Sequence, residues 1–228
     1  MMPARHSRRA LPAVRLRPRL LVVALAPLVV LAPLAAQAAG GATTWSRGWN
    51  PPLALLSSYS SRAASTAGFT AIPHSIVASG GQKLTVAVQV KTRWVDTKAR
   101  VDSPNILQEG MYGSPAQVKL QIAHGATAAS HRAQCRVAGA GGSVLATGPA
   151  IDVANGAWHT VMCTKSRDGN GRTKVVVAVD GVAGPATYSP SAIGRIAPPG
   201  TLDLGGRSAV ASTDSLDGWI RSVRVTIS

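Results

Sequence analysis

The sequence predicts an all-β protein, an antiparallel β-sandwich, and three observations carry that expectation. Segments after residue 80 alternate apolar and polar residues with period two, as in Leu84-Thr-Val-Ala-Val-Gln-Val90, which places Leu84, Val86, Val88 and Val90 on one face. Turn signals punctuate these segments at Asn155-Gly156, Asp168-Gly169 and Gly205-Gly206. No convincing 3.6-residue apolar period competes with them, so short strands at this spacing fold as two packed sheets.

Taken in order, the strands start with Leu84 to Val90, followed by Asn105 to Gly110 and by Gln117 to Ile122, the last with clean alternation. His131 to Val137 carries Cys135, and Trp158 to Thr164 carries Cys163. Lys174 to Val179 is a nearly continuous valine run, suited to a buried strand. Thr201 to Leu204 and Gly218 to Ile227 close the chain. Between residues 39 and 80 the signals conflict. Ser57 to Thr66 reads as a loop or a first strand, and Asn50-Pro51-Pro52 reads as a break just after Trp45 and Trp49.

The N-terminal residues read as an export signal. Residues 1–19 hold six arginines and no acid, Leu20 to Ala36 is apolar apart from Pro27 and Pro33, and Ala36-Gln37-Ala38 is a small-residue exit. Cleavage after Ala38 is the expectation, with a retained signal anchor as the alternative. The two prolines weaken a spanning helix there. Arg8-Arg9 lies ten residues from the apolar run, which argues against a twin-arginine route, and no cysteine near the exit points to a lipid anchor. The expected organisation is therefore a signal over 1–38, an N-terminal segment, partly ordered or a first strand, over 39–64, and one domain over 65–228. The expected location is secreted or extracellular, with no stable membrane span once the signal is removed.

Charge changes with that reading. The whole chain carries 24 basic and 9 acidic residues, a net of +15. Without the six leader arginines the net falls to +9, which still favours anionic partners. The basic residues are scattered singly (Lys83, Lys91, Arg93, Lys98, Arg100, Lys119), unlike the clustered cations of a specific nucleic-acid reader. Two cysteines, Cys135 and Cys163, in an exported chain imply one disulfide. It closes a loop that stabilises the fold by about 3 kcal/mol in the chain-entropy model.

Several segments together resemble the laminin-G-like, concanavalin A-like family of jelly-roll domains. They are Asn155-Gly-Ala-Trp-His159, Val179-Asp-Gly181, Leu204-Gly-Gly206, and the closing Leu216-Asp-Gly-Trp-Ile220 through Val223-Arg-Val225. The likeness covers about residues 65–228 and rests on order and spacing. It implies a jelly roll, and it implies that the two cysteines cross-link neighbouring strands, as in secreted bacterial members. In the Trp-His pair, Trp158 is the natural core filler and His159 is expected to face the other side. Asp180 is expected to cap its own turn.

These residues argue against catalysis. Sandwich glucanases need two carboxylates a few ångströms apart, and this chain has a single glutamate, Glu109, and eight aspartates mostly in turn-like contexts. Neither a Gly-x-Ser-x-Gly elbow nor a His-Glu-x-x-His helix occurs. The expectation is a non-catalytic module binding carbohydrate or an anionic cell-wall or extracellular polymer. An extracellular protein-interaction or structural module is the alternative, and a secreted hydrolase a third. The aromatic residues best suited to stack on sugars are Trp94, Tyr112, Trp45 and Trp49. No cofactor is expected. Calcium is the family's best-known ion, and its candidate ligands are Asp96 with Asp102, or Asp214 with Asp217.

Overall fold

The computed structural model describes residues 43–56, 70–72, 76–93, 103–123, 131–206, 214 and 216–228, with 43–56 and 70–72 described by their backbone course alone. All of them lie within one compact unit, Ala39–Ser228. Among these residues there are thirteen strands: β1 Thr43–Leu56, β2 Thr70–Ile72, β3 Leu84–Arg93, β4 Asn105–Glu109, β5 Gln117–Ile122, β6 Ala133–Gly139, β7 Gly142–Thr147, β8 Asn155–Arg167, β9 Thr173–Val179, β10 Val182–Ala183, β11 Thr187–Tyr188, β12 Leu202–Leu204 and β13 Asp217–Ile227. They form two antiparallel sheets. One runs β1-β13-β3-β8-β9-β10, with β11 also on β9, and the other runs β2-β12-β4-β5-β6-β7. This is the sandwich the alternation predicts.

The core lies between the sheets and follows from that alternation. Leu84, Val86, Val88 and Val90 of β3 are buried, as are Val161 and Cys163 of β8, Val175, Val177 and Val179 of β9, and Ile220, Val223, Val225 and Ile227 of β13. From the second sheet come Leu107, Val118, Leu120, Ile122, Val137, Val144, Leu202 and Leu204. Branched aliphatic side chains suit this setting because they lose little rotamer freedom on a pleated surface.

The cysteines do pair. The Cys135–Cys163 disulfide spans 6.1 Å between Cα atoms. It corrects one detail of the sequence reading, because β6 and β8 belong to different sheets. The bond is a rivet across the core, not a link between neighbouring strands. Replacing both cysteines with alanine is expected to lower unfolding free energy by about 3 kcal/mol, read as a fall in denaturant midpoint.

The proline-rich stretch near residue 50 also differs from expectation. β1 does not stop at Asn50-Pro51-Pro52. It pairs with β13 on both sides of an irregularity between Gly48 and Leu53. A proline cannot donate to a ladder, but β1 ends the strand order of its sheet, and a bulge on an edge strand tolerates it. Ser57 to Thr66 lies outside the described residues.

Polar staples close the sandwich. Lys165 is fully buried at the inner face of β8, and its Nζ donates to the carbonyls of Ser79 (3.3 Å), Gly80 (2.6 Å) and Gln82 (2.8 Å). Burial, with the nearby Arg167 charge, holds its pKa below the usual lysine value. Glu109, also fully buried, accepts the Ile76 amide on both carboxylate oxygens at 3.0 Å.

Close approach of β13 to β3 explains the Leu-x-Gly start of the closing strand. A Cβ on Gly218 would lie 2.2 Å from the Lys91 carbonyl oxygen and 2.9 Å from Thr92 Cβ. Gly218→Ala is therefore expected to cost ~2 to 3 kcal/mol through backbone displacement, measured by chemical denaturation.

Candidate binding groove and histidine clamp

The outer face of the six-stranded sheet is polar and organised in rows. Register aligns Asp203 of β12, Gln108 of β4, Lys119 of β5, Arg136 of β6 and Leu145 of β7. A second row sets Asn105, Gln121, Gln134 and Thr147 side by side. Gln121 donates to Gln134 Oε1 (2.9 Å), and Gln134 donates to Thr147 Oγ1 (3.3 Å).

Tyr112, in the β4–β5 loop, stands over one end of this face with 83% of its surface exposed. The Arg136 guanidinium lies 4.8 Å from its ring centroid, donates to Gln117 Oε1 (2.5 Å) and to Ser143 Oγ (3.2 Å), and is thereby fixed. Gln117 and Gln108 both donate to the Gly110 carbonyl (3.1 and 2.9 Å), which holds the loop carrying Tyr112. These groups border a groove of about 350 Å³ with Met111, Lys119, Leu145 and Asp214. An exposed ring, immobilised amides and two cations in one depression suit a polyhydroxylated ligand, because the ring covers an apolar sugar face while the amides and guanidinium meet hydroxyl or carboxylate groups.

Of the other sequence-predicted residues, Trp94, Asp96 and Asp102 lie outside the described residues, and the side chains of Trp45 and Trp49 in β1 do as well. Asp214 and Asp217 border different depressions. Asp214 borders the groove near Tyr112, and Asp217 borders a depression with Lys91, Arg93 and Trp219. Among the described residues no three His, Cys, Asp or Glu side chains gather as a metal site.

The Trp-His pair is inverted relative to expectation. His159 is buried, and Trp158 faces outward, with the Arg221 guanidinium 4.5 Å from its ring centroid. The reason is register: His159 lies on the inward set of β8 with Val161, Cys163 and Lys165. The Nδ1 of His159 lies 2.7 Å from Asp180 Oδ2, and Nε2 lies 3.0 Å from Asn155 Oδ1. Asp180 sits in the β9–β10 turn at φ 52° and also accepts the Thr160 amide on Oδ1 (2.8 Å). Aspartate tolerates that left-handed backbone better than most residues. The Asp180 side chain of the Val-Asp-Gly turn thus clamps β8, both of its oxygens meeting β8 residues.

Burial pushes the Asp180 carboxyl up, but the His159 hydrogen bond, the Thr160 amide and the His159 charge outweigh it and hold the pKa below the usual value. A carboxyl with a depressed folded pKa contributes stability above its unfolded value and loses it as pH falls through the folded one. Asp180→Asn keeps the turn conformation and removes the charge. The stability gap between wild type and this variant is therefore expected to close as pH falls from about 5 to about 2, measured by urea denaturation at each pH.

No protein-family model matches the chain, and no curated protein does either. Solved structures similar to it include domains LG4-5 of the mouse laminin α1 chain, at 17% identity and TM-score 0.47 over 89% of this chain and 46% of that one. A heptameric SAP-like pentraxin from Limulus polyphemus aligns at 13% identity and TM-score 0.49, over 69% and 68% of the two chains. An endo-1,3-β-glucanase from Streptomyces sioyaensis aligns at 14% identity and TM-score 0.41, over 70% and 69%. The chain spans less than half of the laminin chain it matches. These likenesses concern the fold alone.

Proposed function

We propose that this protein is a secreted, non-catalytic module that binds extracellular carbohydrate in the groove around Tyr112. The observation that carries this reading is the exposed Tyr112 ring beside the immobilised Arg136 guanidinium and the amides of Gln108, Gln117 and Gln121. Secretion is supported by the basic and apolar leader and by the single cross-core disulfide. Among the described residues no helix is long and apolar enough to cross a membrane.

The absence of catalysis is supported by where the acids are used. Glycoside hydrolysis draws on two carboxylates at the substrate. Glu109, the sole glutamate, is turned into the core against Ile76, and Asp180 is tied to His159 and Thr160.

The test is binding of the oxidised protein to a panel of neutral and acidic polysaccharides, with Tyr112→Ala and Arg136→Gln beside wild type. Tyr112→Ala is expected to weaken binding about tenfold, the loss of one stacking contact, without lowering stability, because the ring is mostly exposed. Arg136→Gln is expected to weaken acidic glycans more than neutral ones. Failure of every glycan to bind, or a Tyr112→Ala isotherm equal to wild type, refutes the proposal.

A further inference from the structure

The outer face of the seven-stranded sheet carries a second constellation. Register sets Trp219 of β13, Lys91 of β3 and Trp158 of β8 in one row across three adjacent strands. Their chain neighbours Ile220, Val90 and His159 point inward and are buried, so all three face solvent. Lys91 Nζ lies 5.6 Å from the Trp219 ring centroid. Arg221 stacks on Trp158 at 4.5 Å while donating to Gln89 Oε1 at 2.8 Å. Arg93 lies across Gly156, where an added Cβ would meet its Nε at 2.7 Å. Lys91, Arg93, Asp217 and Trp219 border a depression of about 300 Å³.

This face is basic. Lys91, Arg93, Lys174, Arg221 and Arg224 occupy outward positions on β3, β9 and β13, and Asp217 is the one acid among the described strand residues of that face. Adjacent strands lie about 4.8 Å apart, so the backbones that carry the two indoles stand about 10 Å apart with the Lys91 strand between them. That spacing suits two sugar rings of an extended chain separated by a third.

We infer that this face is a second binding site, for an acidic polysaccharide laid across the strands along the Trp219–Lys91–Trp158 row. The indoles stack on sugar faces, and Lys91, Arg93 and Arg221 take the carboxylates. Cations already stacked on the rings hold both in place before binding, which lowers the ordering cost. Trp219 keeps 37% of its surface exposed, open to a polymer laid across the face. The site uses none of the groove residues around Tyr112 and stands or falls independently of that groove. Where both sites operate, the module is bivalent, with one glycan contact on each face of the sandwich.

The experiment titrates the oxidised protein with oligogalacturonate and follows the Trp158 and Trp219 indole N–H resonances, with neutral dextran and anionic phospholipid vesicles as separate titrants. Both resonances are expected to shift with oligogalacturonate and not with dextran. Lys91→Gln and Trp219→Ala are each expected to weaken that titration about tenfold. A Tyr112→Ala, Arg136→Gln double variant is expected to leave the two shifts intact, which separates this site from the groove. The inference is overturned if the indole resonances do not move with oligogalacturonate, if they move with vesicles alone, or if Lys91→Gln titrates as wild type.

Discussion

Among the described residues, the structure depends on a core built without aromatic rings. Among the described residues every buried apolar side chain is aliphatic or a cysteine, with valine and isoleucine dominant. Such a core has short side chains, so the two sheets fill the space between them by close interdigitation. Among the described residues no indole enters it: Trp158 and Trp219 lie on the outer face of one sheet, and Tyr112 stands on a loop of the other.

A thin aliphatic core also needs help at its margins. The Cys135–Cys163 bond joins the sheets where β6 and β8 face each other, and both sulfurs are buried. Lys165 gathers three carbonyls from residues 79–82, and Glu109 fixes the amide of Ile76, so the segment leading into β3 is held to each sheet by a buried ionisable side chain. Burying a charge costs several kcal/mol unless hydrogen bonds compensate it. Both groups find that compensation in backbone groups and not in each other. These two residues would look available for chemistry in a sequence, and the fold has committed them to closure.

Much of this was legible from residue order, and the failures have physical causes. Period-two alternation locates β3 and β5 with correct inward faces, because inward positions in a two-sheet core must be apolar, and the valine run locates β9. β1 was obscured by Pro51 and Pro52, since a bulge on an edge strand is set by pairing and not by local propensity. The orientation of Trp158 and His159 was misread because hydrophobicity favours burying the indole. The phase of β8 is set instead by Val161 and Cys163, and counting back from them by twos reaches His159. Along β13 the two-residue phase breaks at the irregularity between Ile220 and Ser222, which leaves Trp219 outward beside buried Ile220. The amide rows behind Tyr112 depend on the pairing of β4 to β7, which no local pattern encodes.

Two of the motifs that suggested the fold prove to be one device. The Trp-His segment and the Val-Asp-Gly turn lie 21 residues apart, yet His159 and Asp180 meet at 2.7 Å, and Asp180 also returns to the Thr160 backbone. The turn needs a residue that tolerates a left-handed backbone, and the buried imidazole needs an acceptor. Aspartate meets both needs at once. Once His159 is held inward by that pair, alternation leaves Trp158 one direction, outward toward Arg221. The clamp thus reinforces the phase that Val161 and Cys163 set, with Trp158 on the outer face above it. A change at Asp180 acts on the outer face through the strand, with no direct contact to Trp158 required.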